Sequence, residues 1–146
     1  MKLGVACLPF IACLSGCPGA VTPEAVGAGV LTFAEANRVL ATACGEAAVF
    51  VGTVKGRDAG QIVLDKCEAN HTRVRAAMLV FADGVDAWRK GKAGPPACAA
   101  ADARMALLDS LDFSRSVGAN VSPRVDDFVS FFTTIVSNAT LGECKR

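Results

Sequence analysis

Four stretches of the chain repeat apolar residues at alternating steps of three and four, the spacing of one buried helical face. The first opens after Thr22-Pro23-Glu24 and carries Val30, Phe33, Asn37, Leu40, Cys44, Ala47, Val51 and Val54 on one seam. Gly56 predicts its stop and Asp58 the N-cap of a second helix. That helix turns Leu64, Cys67, His71, Val74, Met78, Phe81, Val85 and Trp88 inward, then ends in the break Gly91-Lys92-Ala93-Gly94-Pro95-Pro96. A third starts near Pro96, with Cys98, Ala101, Met105, Leu108 and Leu111 expected inside and fraying expected between Ser114 and Gly118. In the turn Asn120-Val121-Ser122-Pro123, Ser122 suits an N-cap and Pro123 the first helical position. The fourth helix shows Val125, Phe128, Phe132, Ile135 and Ala139 on one side. Asp126, Asp127, Ser130, Thr133, Thr134 and Ser137 lie on the other. Asp126 and Asp127 also suit its positive N-terminal end.

No alternating strand pattern competes with these periods, so the predicted fold class is all-α. Four helices with short connections favour an antiparallel four-helix bundle, up-down-up-down, over residues 24–146.

Ahead of the first helix, Met1-Lys2 precedes an apolar run from Leu3 to Leu14, too short to span a bilayer and suited to a cleaved export signal. The run closes in Leu14-Ser15-Gly16-Cys17, which resembles the lipobox of bacterial, including phage-encoded, lipoproteins. The resemblance covers only these first residues. It implies a signal peptide over 1–16, a cut before Cys17, acylation of the Cys17 thiol (palmitate among the chains), and a tether over 17–23. It also implies a lipid-anchored place in the cell envelope. In a Gram-negative host this is the outer membrane facing the periplasm, because Pro18 is not the Asp that favours inner-membrane retention in that family. The competing reading is an ordinary secretory signal cut near Gly19 or Ala20, with Cys17 incidental.

Setting the leader aside changes the charge and cysteine arithmetic. Of the 15 Lys and Arg, Lys2 leaves with the leader, and the rest balance the 14 Asp and Glu. No segment is strongly basic, so a nucleic-acid partner is not expected. Of the seven cysteines, Cys7 and Cys13 leave and Cys17 carries lipid, so Cys44, Cys67, Cys98 and Cys144 remain. An even number in an oxidising compartment predicts two disulfides. Metal is not expected, since no Cys-x-x-Cys pair exists. In an antiparallel hairpin, residues equidistant from the turn face each other. Cys44 and Cys67 mirror each other about the turn Lys55 to Asp58, and Cys98 and Cys144 about Val121. The predicted pairs are therefore Cys44 with Cys67 and Cys98 with Cys144, one staple per hairpin.

Few residues invite chemistry. His71 is the only histidine; with Asn37 on the matching seam it suggests a buried polar pair that fixes helix register. The carboxylates Asp65 and Glu68, Asp83 and Asp86, Asp109 and Asp112 have basic neighbours and read as solvated faces. Glu-x-x-His pairs, the mark of di-iron bundles, are absent. Arg89-Lys90-Gly91-Lys92 is a basic cluster at a helix end, where cations suit the dipole or touch anionic lipid. Among Phe128, Phe131 and Phe132 only Phe131 falls off the main seam, as a weak contact-surface candidate.

Glycosylation sequons stand at Asn70, Asn120 and Asn138. Asn70 flanks the buried seam and Pro123 follows the second sequon, both unfavourable for a glycan.

These residues supply no nucleophile, base and oxyanion set, so an enzyme is not expected, and no cofactor is implied. The leading expectation is a membrane-anchored envelope lipoprotein acting as a non-enzymatic protein-binding module of assembly, inhibitor or exclusion type. Its partners would be the membrane, through Cys17, and another envelope protein. The alternatives are a carrier of an apolar ligand within the bundle and a secreted eukaryotic disulfide-stapled helical glycoprotein.

Overall fold

A computed structural model describes residues 22–137 and Cys144. It contains four helices: α1 (Pro23–Lys55), α2 (Arg57–Arg89), α3 (Ala97–Ser116) and α4 (Pro123–Ser137), with no strand among the described residues. The Thr22 hydroxyl accepts a hydrogen bond from the Ala25 N–H at 3.3 Å, satisfying one of the free donors at the start of α1. Ser122 does the same for Arg124 at 3.4 Å, and Pro123 opens α4.

Gly56 has φ 99°, a region open to glycine and strained for other residues, so α1 ends and α2 begins across one residue. Asp58 therefore does not cap α2 as expected. It sits in the first turn, where its carboxylate faces the positive helix end.

The core gathers Phe33 and Leu40 of α1, Val74 and Phe81 of α2, Leu107 and Leu111 of α3, and Val125 and Phe132 of α4. Phe132 lies at its centre, with ring centroids 4.8 Å from Phe33 and 5.6 Å from Phe81. The inward face of α3 differs from the expected one. Ala100, Ala103, Ser110 and Ser114 are buried, while Met105 is exposed. Small side chains let this face pack closely, and Ser114 satisfies its buried hydroxyl by donating to the Ser110 carbonyl at 2.8 Å.

Helices α1 and α2 each run 33 residues, about 50 Å, whereas α3 has 20 and α4 has 15, about 30 and 22 Å. The α1–α2 pair meets at Asn37 and His71, Cys44 and Cys67, and Gly52 and Gly60, the mirrored contacts of a helical hairpin. Helix α3 starts beside the far end of α2, where Pro96 packs on Gly84, and climbs past Arg73, which bonds Asp109 at 2.9 Å. The α3–α4 turn, through Asn120 and Ser122, comes level with Arg38, Thr42 and Glu46 of α1. Beyond that level no described helix covers the hairpin.

Candidate functional site

One stripe on α1 steps through Phe33, Ala36, Leu40, Ala43, Ala47, Phe50 and Val54, at three- and four-residue intervals. Exposure along it stays at 6 % or less as far as Ala47. It then jumps to 68 % at Phe50 and 64 % at Val54. Nothing changes in the stripe's character at that point; the covering helices end. Val54, expected inside, is exposed for this reason. Val49 and Ile62 are exposed at the same end of the hairpin. The result is a projecting tip, about nine residues of each helix or about 14 Å, with an apolar face on which no layer packs among the described residues.

Two features hold this tip together. The Cys44–Cys67 disulfide clasps the hairpin at its base, with Cα atoms 5.9 Å apart and both cysteines buried. Nearer the turn, Gly60 packs against Ala48 and Gly52 so tightly that any side chain would meet backbone. An open apolar groove of about 300 Å³ runs along this contact, lined by Val49, Gly52, Gln61 and Leu64. Charges on the tip balance: Glu46, Asp58 and Asp65 against Lys55, Arg57 and Lys66. Asp65 accepts a hydrogen bond from Gln61 at 2.8 Å.

The structure brings Asn37 and His71 together, though not as two paired side chains. The Asn37 amide nitrogen donates to the His71 backbone carbonyl at 3.5 Å. Asn37 Oδ1 and His71 Nδ1 are buried without a hydrogen-bond partner. The Cys98–Cys144 disulfide is present, with Cα atoms 4.6 Å apart, and Cys144 is not helical.

Of the carboxylates spaced three apart, Asp86 and Asp109 engage cations and Asp65 engages Gln61. Asp86 binds Arg89 at 2.8 Å and Lys90. Hydrogen bonds from Lys90, then Arg89, hold its carboxyl below the usual range. Two cations of the basic cluster are thereby engaged. Glu35 is lowered in the same way by a hydrogen bond from Arg38. Among the described residues no three His, Cys, Asp or Glu converge on a common point that could hold a metal ion.

Of the sequons, Asn70 is half-buried on α2, Asn120 is exposed in the α3–α4 turn, and Asn138 lies outside the described residues. Cys17 also lies outside them. Phe131 is 37 % exposed, Phe128 packs on the core, and Phe132 fills it. Among the described residues no helix is long and apolar enough to cross a membrane.

The uncovered tip is the feature that reading each helix separately missed. Its signal is nonetheless present in the sequence: two apolar periods of 33 residues cannot be matched by partners of 20 and 15. No family model, no curated protein and no solved structure matches the chain.

Proposed function

We propose that this chain is a cell-envelope lipoprotein, anchored through acylated Cys17, that works as a non-enzymatic protein-binding module. The four helices are taken to run up-down-up-down, with 17–23 as a tether at the Pro23 pole. One observation carries the reading: the α1 stripe that is buried through Ala47 is bare at Phe50 and Val54. Apolar faces of this kind on a projecting element suit a protein contact better than solvent. Helix α1 begins at the tether and ends at the tip, so its roughly 50 Å length separates the contact face from the anchor along the molecule and leaves that face free for a protein.

The test is a crosslinking pull-down of the membrane-bound protein, with Cys17→Ser and Phe50→Glu as separate controls. The reading expects capture of a protein through the tip, loss of capture with Phe50→Glu, and release from the membrane with Cys17→Ser. Partners captured equally well by the unanchored form would remove the tether from the account, and capture indifferent to Phe50 would remove the tip.

A further inference from the structure

Phe50 and Val54 leave an apolar face on the hairpin tip that a short second layer of two helices would fit. Lower in the molecule α3 and α4 supply that layer over the same stripe, at Phe33 and Leu40. We propose that above them the layer is the tip of a second copy of this chain, packed antiparallel so that two overhangs complete one four-helix section. The inference rests on the protein-binding reading and names its partner.

Three observations select a second copy. The first is fit. Each overhang is about 14 Å of paired helix, and an antiparallel copy brings a matching length with the same apolar face. Its end then comes to rest near the α3–α4 turn of the first, level with Glu46. A parallel copy cannot do this, because the α3 and α4 layers of the two chains would collide below.

The second observation is area. Phe50, Val54 and Ile62 are 68 %, 64 % and 58 % exposed, and Val51 and Val63 are half-buried beside them. At roughly 150–200 Å² for each large side chain, these expose on the order of 400 Å² of apolar surface. A standard interface takes about 800 Å² from each partner, somewhat over half of it non-polar. The tip therefore provides nearly the whole apolar share of one side.

The third is charge. A two-fold contact sets a patch against itself, so a patch of one sign repels its mate. Here three acids, Glu46, Asp58 and Asp65, balance three bases, Lys55, Arg57 and Lys66. A partner recognised by opposite charge would call for an imbalance, which the tip lacks.

The test uses the purified full chain with a photo-crosslinking phenylalanine analogue at position 50, prepared as a mixture of ordinary and ¹⁵N-labelled protein. Irradiation should give a species of twice the chain mass, containing hybrid light–heavy peptides from 45–66. Sedimentation should show concentration-dependent association, weakened at least tenfold by Phe50→Glu and by Ile62→Lys. Both sites are exposed, and circular dichroism of each variant checks that the helices remain. A chain that stays monomeric up to about 100 µM with no hybrid peptide overturns the second-copy proposal. If that monomer still crosslinks in envelopes to a different protein through position 50, the protein-binding reading stands alone. If position 50 captures nothing anywhere, both fall.

Discussion

Gly60 approaches Gly52 so closely that a Cβ placed on Gly60 would lie 2.7 Å from the Gly52 Cα and 2.8 Å from the Ala48 carbonyl oxygen. The relationship is not reciprocal, because a Cβ on Gly52 would meet Gly60 at an ordinary 3.6 Å. The two glycines should therefore respond oppositely to the same substitution. Gly60→Ala must push helix backbones apart and is expected to cost about 1–3 kcal/mol. Gly52→Ala relieves a helix-interior glycine and is expected to be neutral or to stabilise by about 0.5–1 kcal/mol. Urea denaturation of the two variants decides this by the sign of the change.

The Cys44–Cys67 staple marks where the covered core gives way to the two-helix tip. Closing a loop of 23 residues contributes about 3 kcal/mol by the chain-entropy view. Replacing both cysteines with alanine should lower global stability by that order. It should also raise hydrogen exchange over 45–66 more than over the Phe33–Phe81–Phe132 core, since the tip loses its only covalent brace and has few other contacts. Uniform acceleration over both regions would show that the tip does not open separately.

Asn37 and His71 each bury a polar atom without a partner. An unsatisfied buried donor or acceptor costs about 1–3 kcal/mol, so this site weakens the fold it occupies. Asn37→Leu combined with His71→Leu is expected to leave a folded domain of equal or greater thermal stability. A fall in melting temperature would mean that the polar atoms specify the hairpin register at this level.

The acid limb of stability should be shallow. Asp86 and Glu35 are held below their usual range by cations on their own helices. A lowered carboxylate adds stability above its unfolded-state value, near pH 4, and that gain is lost as pH falls through the folded value. Both carboxylates reach solvent, so salt screens the effect. Asp86→Asn should flatten the acid limb slightly at low ionic strength and not at all in high salt, as read from urea midpoints between pH 2 and 6.

Local rules made most of the boundaries legible. Thr22-Pro23, Gly56 and Ser122-Pro123 act where side-chain caps, a left-handed φ and a fixed proline φ require, and mirrored spacing about the turns picks out both disulfide pairs. The phase of α3 was not legible in the same way. Leu111 is buried as expected, but Met105 is exposed, and the buried face runs instead through Leu107 with the small residues Ala100, Ala103, Ser110 and Ser114, whose value lies in close approach. Asp58 misled because a single glycine completes the reversal. Val54 follows the right period and is exposed, since whether a periodic face finds a cover depends on the length of other helices.

The central claim is that Phe50 meets a protein rather than water. Thiol labelling of a Phe50→Cys variant tests it most directly, with Ala47→Cys as the buried reference three residues away. The account predicts fast labelling of position 50 in dilute purified protein, strong protection of the same thiol in intact envelopes, and slow labelling of position 47 in both. Equal, fast labelling of position 50 in both settings would contradict it.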